Sequence, residues 1–148
     1  YILENLSLEI KKNEVIGIKG ETGSGKSTLY SAIIGEIYAD AGKIILNGKE
    51  IQNLPIHLRT KGGIGYLSQQ RSVFDMSVYD NILGIAQISI KNEKQQKDIT
   101  EKLLDEFNLQ HLRTLNASVL SGGEIRRLMM ARIMINRPKI VLLEIIQY

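Results

Sequence analysis

Apolar and polar residues alternate near the start of the chain, with Leu6, Leu8 and Ile10 separated by Ser7 and Glu9. This period of two predicts a half-buried strand. The next apolar run, VIGIK at 15–19, is continuous, as in a central strand covered on both faces. The pattern then lengthens: STLYSAIIG suits a helix that ends at Gly35. KIILNGKEI reads as a strand, a tight turn at Asn47 and Gly48, and the start of a second strand. GIGYL at 63–67 is another buried strand candidate, and it runs almost directly into Gln69 and Gln70.

Beyond residue 76 the spacing becomes helical. Ser77 with Asp80 three residues on has the form of a capping box, and the segment 92–107 carries Ile99, Leu103, Leu104 and Phe107 at three- and four-residue intervals. A last helix is expected from about Gly123 to Asn136, with Arg126 and Arg127 outward and Ile125, Leu128 and Met129 inward. Pro138 breaks it, and IVLLEII returns to strand. The predicted class is therefore α/β in a single domain over 1–148. Residues 1–76 and about 121–148 form the α/β core, and about 77–120 form an inserted helical subdomain.

Composition narrows the function only by exclusion. The chain has 148 residues, 43% of them hydrophobic, enough for one ordinary core. Nineteen basic residues stand against sixteen acidic ones, a formal charge of +3, which suits phosphate-bearing partners without selecting one. With no cysteine there are no disulfides, thiolate metal sites or cysteine nucleophiles, in keeping with a reducing compartment. No apolar run reaches the roughly 18 residues of a membrane span. The chain opens on Tyr1 and closes within an apolar run, so both ends read as cuts.

The chemistry lies in the loop GETGSGKST, residues 20–28. Gly20, Gly25, Lys26 and Ser27 fit G-x-x-x-x-G-K-[ST], with a strand expected before and a helix after. Glycines such as Gly23 and Gly25 allow left-handed backbone and let a phosphate approach main-chain N–H groups, here those from Gly23 and Ser24 to Thr28. The helix that starts there adds its unpaired N–H groups and its positive dipole end. Lys26 would reach the β and γ phosphates, and the Ser27 hydroxyl would ligate Mg²⁺. The loop is thus expected to hold the triphosphate of ATP with Mg²⁺.

A second glycine motif, LSGGE at 120–124, also opens a helix, and Ser121 and Glu124 alone are spaced as a capping box. With the first loop in the same chain, the pair resembles the ATP-binding-cassette (ABC) family, whose Walker A loop looks like GETGSGKST and whose signature motif looks like LSGGE. Gln69 in GYLSQQ matches the glutamine that family carries between them. The resemblance implies a P-loop NTPase core of ABC ATPase type, truncated at both ends. It also implies a head-to-tail pair of such domains, in which Ser121, Gly122, Gly123 and Glu124 of one copy act on ATP held by the other. Gln69 would sense the γ-phosphate and the metal.

Stretches such as ADAGKIILNG, LPIHLRTKGGIGYLSQQ, SVYDNI, LLDEFNLQHLR and LSGGEIRRL are similar to the ATPase subunits of bacterial lipopolysaccharide exporters. By that resemblance the chain is an ATP hydrolase subunit coupled to transmembrane export of lipopolysaccharide. It would pair with permease subunits through residues 71–81 and lie on the cytoplasmic face of the inner membrane. No nucleic acid partner is expected. The family's Walker B strand continues into Asp, Glu and Pro, and here Glu144, Ile145 and Ile146 stand in those places. Glu144 is then the metal-site carboxylate, whereas Ile145 can neither take a proton nor orient water. The later family motifs and the adenine-stacking aromatic would fall outside the chain. His57 and His111 sit where neither can stand in for the missing groups. Three readings follow: a transport ATPase, a nucleotide-binding module that hydrolyses slowly or not at all, and a non-transport ABC ATPase. A frameshifted origin for the last residues is a further expectation raised by the same loss of pattern.

Overall fold

The structure is a computed structural model, and it describes residues 2–144. The expectations for Ile145 and Ile146 lie outside these residues. Contacts divide the chain into two units, Tyr1–Gly62 and Gly63–Tyr148.

In the first unit, α1 (Lys26–Ile34) starts and stops on glycine. Gly25 precedes it at φ 90° and Gly35 ends it at φ 92°, donating its N–H to the Ser31 carbonyl. Both are left-handed conformations that carry little strain only without a Cβ. A short antiparallel hairpin follows, β1 (Ile45–Leu46) with β2 (Lys49–Glu50), in the register Ile45↔Glu50 and Leu46↔Lys49. Asn47 and Gly48 both have positive φ, 48° and 76°, as a type I′ turn requires. The helix α2 (Ile56–Gly62) lies where the sequence pattern gave no element.

Two expected strands are not present. Over 6–10 and 15–19 no ladder forms among the described residues. Leu6 and Leu8 are exposed, and Val15 is 98% exposed. Alternation identifies a face that prefers burial, but a strand also needs a hydrogen-bonding neighbour. Here neither run has one among the described residues.

The interior of this unit is organised by a charge. Arg59 on α2 is only 1% exposed. Its Nε donates to the Leu54 carbonyl at 2.7 Å, its Nη1 to Ala32 and Ile33 at 2.6 and 2.8 Å, and its Nη2 to Gln52 at 2.7 Å. Ala32 and Ile33 belong to the last turn of α1, whose carbonyls have no intrahelical donor and form the negative end of the helix dipole. A planar five-donor group serves such a spread of acceptors where an ammonium would not. Burial pushes the Arg59 pKa down. A Cβ at Gly35 would lie 2.8 Å from Arg59 Nε, so glycine there supplies room as well as the turn.

The second unit pairs β3 (Ile64–Leu67) in parallel with β4 (Ile140–Leu143), in register from Ile64↔Ile140 to Leu67↔Leu143. Between them run α3 (Val78–Ser89), α4 (Glu93–Glu106), two short 3₁₀ turns and α5 (Gly122–Met134). α3 begins at the cap the sequence places at Ser77, and α4 begins at Asn92, a cap found in the structure. The Ser77 hydroxyl accepts from the Asp80 N–H at 3.0 Å, and Asn92 Oδ1 accepts from the Gln95 N–H at 3.0 Å. Ser77 also donates to the Asp80 carboxylate, so that cap is only half of a reciprocal box. Leu67, Val78, Ile82, Leu104 and Leu128 form the centre of the core. Arg126 and Arg127, expected outward on α5, are half-buried. Their stems lie along a groove with Met130 and Leu143, since a long side chain can cover apolar surface with its methylenes.

Candidate functional site

In the first unit the loop 20–28 wraps around its own lysine. The Lys26 ammonium donates to the Gly20 carbonyl at 2.6 Å, to the Glu21 carbonyl at 2.7 Å and to the Ser24 hydroxyl at 3.3 Å. Gly23 and Gly25 have φ of 85° and 90°, and Gly25 is buried, with Ile2 and Leu3 where a Cβ would fall. A Cβ at Gly20 would come within 2.6 Å of Ser24 Oγ, so any larger residue there has to displace the Ser24 side chain. Ser27 is exposed and Thr28 half-buried, both in the first turn of α1. This is a surface suited to a phosphate chain.

The donor set also suits magnesium held largely by phosphate oxygens. Among the described residues there is no cluster of three or more His, Cys, Asp or Glu that would make an all-protein metal cage. Mg²⁺ on nucleotides typically takes one or two protein oxygens and completes its shell with phosphate and water. In the first unit the Ser27 hydroxyl is an oxygen donor of that type, and in the second unit Gln69 and Glu144 carry side-chain oxygens of the same type.

In the second unit, Gln69 and Glu144 leave the same edge of the parallel pair, just past the ends of β3 and β4. The crevice beyond the carboxyl ends of parallel strands is where α/β sheets carry their chemistry. Gln69 is exposed. Glu144 is half-buried and held on several sides. Its N–H donates to the Leu67 carbonyl at 3.0 Å, its carbonyl accepts from Arg126 Nη2 at 2.9 Å, and its Oε2 accepts from the Tyr66 hydroxyl at 2.9 Å. The residues Tyr66 and Arg126 were not singled out for this role in the sequence, because their approach depends on strand register and helix packing.

The LSGGE motif starts α5, and the bland reading of it is realised in full. Ser121 is the N-cap and Glu124 closes a reciprocal capping box, accepting from the Ser121 N–H at 2.7 Å and hydroxyl at 2.6 Å. The Ser121 hydroxyl and backbone N–H hold the Glu124 carboxyl below the usual range. Gly122 and Gly123 occupy the first exposed turn, where helical N–H groups have no intrahelical acceptor. Beside this turn, an open groove of about 410 Å³ is lined by Leu67, Phe107, Arg126, Arg127, Met130 and Leu143 as well as Gly123.

The loop that follows Gln69 is rigidly built. Asn81 is fully buried, and its side chain accepts from the Phe74 N–H at 2.8 Å and donates to the carbonyls of Phe74, Met76 and Ser77. Arg132 of α5 donates to the Ser72 carbonyl and lies 4.4 Å from the Phe74 ring centroid. These contacts hold Phe74 and Met76 at the surface, 44% and 39% exposed. His57 and His111 are exposed on α2 and a 3₁₀ turn, in keeping with surface roles.

Comparison with known proteins places this geometry. The chain is 39% identical over 145 residues to the lipopolysaccharide export system ATP-binding protein LptB of Escherichia coli (strain K12), covering 97% of this chain and 60% of that protein. It therefore spans about 60% of the length of that relative. Its fold matches that of cbiO1 from Clostridium perfringens, part of the ABC transporter complex cbiONQ, with a TM-score of 0.86 and 26% identity over 96% of this chain and 58% of that one. It also matches the ATP-binding cassette MJ0796, solved as a dimer in a post-hydrolysis state bound to ADP and Pi, at a TM-score of 0.81 and 25% identity over 97% of this chain and 65% of that one. The α/β architecture is thus the P-loop NTPase core of ABC ATPases. Residues 3–144 match the ABC transporter family model, and the chain belongs to the ABC transporter family.

Proposed function

We propose that this chain is part of the ATP-binding subunit of an ABC transporter and that it binds Mg-ATP. The observation that carries the reading is the Lys26 ammonium drawn into the loop 20–28 by the Gly20 and Glu21 carbonyls, with left-handed glycines opening the backbone at the start of α1. In this reading Gly20, Gly23, Ser24, Gly25, Lys26, Ser27 and Thr28 take the phosphates. Ser27, Gln69 and Glu144 take the metal. Ser121, Gly122, Gly123 and Glu124 serve the nucleotide of a second copy. Residues 77–120 serve as the helical subdomain of the α/β core.

The likeness to LptB supports lipopolysaccharide as the exported cargo, and the apolar side chains of Phe74 and Met76 on the segment 71–81 support that segment as the seat of a permease helix. The same reading places the subunit on the cytoplasmic face of the inner membrane, attached through such permeases; among the described residues no helix is long and apolar enough to cross a membrane.

A second reading is favoured by one observation. Ile145 stands where the family pattern has a catalytic glutamate, and a positioned base is worth about 10²- to 10⁴-fold in rate. The expected behaviour is binding without rapid turnover. Titration with a fluorescent ATP analogue in Mg²⁺, beside a phosphate-release assay, tests both readings. Lys26→Ala should weaken binding about 10- to 100-fold, since a hydrogen bond to a charged group contributes about 1.5–3 kcal/mol. Rapid phosphate release abolished by Lys26→Ala refutes the slow-turnover reading, and absence of nucleotide binding by folded protein refutes both.

A further inference from the structure

We propose that Tyr66 is a positioning residue for the metal-site carboxylate of Glu144, an inference that rests on the Mg-ATP reading above. The register pairs Tyr66 with Leu142 and Leu67 with Leu143. Side chains alternate along strands, so a residue two places after Leu142 returns to the same face as Tyr66. The diagonal neighbour on that face is Glu144, and its Oε2 accepts from the Tyr66 hydroxyl at 2.9 Å.

The chemistry suits a metal ligand. Glutamate has one more rotatable bond than aspartate, so its carboxylate sweeps a larger volume unless both ends are fixed. The main chain is fixed here by the Leu67 carbonyl and by Arg126 Nη2, and the Tyr66 hydroxyl fixes the far end. A neutral phenol orients the carboxylate without cancelling its charge, as an arginine or lysine at the same place would do. Carboxylates that ligate metals are commonly held in this way, and loss of the supporting group typically costs about 10- to 100-fold in metal affinity. Tyr66 thus offsets the freedom that a glutamate brings to this position.

The test uses the whole chain with Mn²⁺ in place of Mg²⁺ and a non-hydrolysable ATP analogue, reading bound Mn²⁺ by electron paramagnetic resonance. Nucleotide affinity in chelator is measured in parallel. Tyr66→Phe should raise the Mn²⁺ midpoint about tenfold, well beyond any change in metal-free nucleotide affinity. Glu144→Gln should raise it at least as far, and Tyr66→Phe should add nothing in that background. A Tyr66→Phe midpoint within about twofold of wild type overturns the inference while leaving nucleotide binding in place, as do additive effects in the double variant. If Tyr66→Phe loses its circular dichroism spectrum, Glu144→Gln decides alone, and an unchanged midpoint there overturns the inference. Wild-type protein that binds no nucleotide overturns the Mg-ATP reading and this inference with it.

Discussion

Replacing Arg59 by alanine removes the donor for four carbonyls, those of Ala32, Ile33, Gln52 and Leu54, all at 2.6–2.8 Å. At about 1.5–3 kcal/mol for each hydrogen bond to a charged group, the gross loss is about 6–12 kcal/mol. Two effects reduce it. The guanidinium no longer has to leave water, which returns several kcal/mol, and water entering the vacated space re-solvates some of the carbonyls. A net destabilisation of about 3–5 kcal/mol remains, a large share of a typical domain stability of about 5–15 kcal/mol. Urea unfolding followed by far-ultraviolet circular dichroism should show it. With a slope of about 2 kcal/mol/M, the midpoint falls by about 2 M. Arg59→Lys keeps the charge but presents one ammonium in place of a planar fork, so it should restore less than half of the loss. A midpoint for Arg59→Ala within about 0.5 M of wild type refutes the account of this residue as the organiser of α1, the hairpin and α2.

Two more outcomes follow from the second unit. Asn81→Ala removes the side-chain acceptor of the Phe74 N–H and the second donor to the carbonyls of Phe74, Met76 and Ser77, which keep the backbone N–H groups of Met76, Ala117 and residue 81. It should cost about 2–4 kcal/mol in the same assay and make the 72–77 segment newly sensitive to limited proteolysis. The Glu124 carboxyl is lowered by its bonds to Ser121, so its contribution is present above the ordinary glutamate range and is lost as pH falls through the lower folded value. Thermal melts across acid pH should show that loss at the α5 start, and Glu124→Gln should flatten the corresponding part of the profile.

The parts of this protein legible in its sequence are those set by short spacing. Ser77 and Ser121 are visible as caps because a cap bonds to an N–H only two or three residues away. Asn47-Gly48 announces its turn for the same reason, and the loop 20–28 is a single local object whose glycines and lysine meet within nine residues. The runs at 6–10 and 15–19 misled because neither alternation nor a continuous apolar run says which strand will pair with it. Arg126 and Arg127 misled because their charge suggested solvent, while their long stems lie along the groove beside Met130.

Spacing by itself determined the glycine loop at 20–28, the second glycine motif, the starts of α3 and α5 and the family likeness, since each of these depends on residues close together in the chain. Only the tertiary structure decided that Arg59 would be a buried hub and that Tyr66 would meet Glu144. The end of α1 must meet the stretch 52–59 before the guanidinium finds its four carbonyls. A parallel register must form before a phenol reaches a carboxylate 78 positions away in the chain. Such contacts have no local signature because the groups that make them are brought together by packing alone.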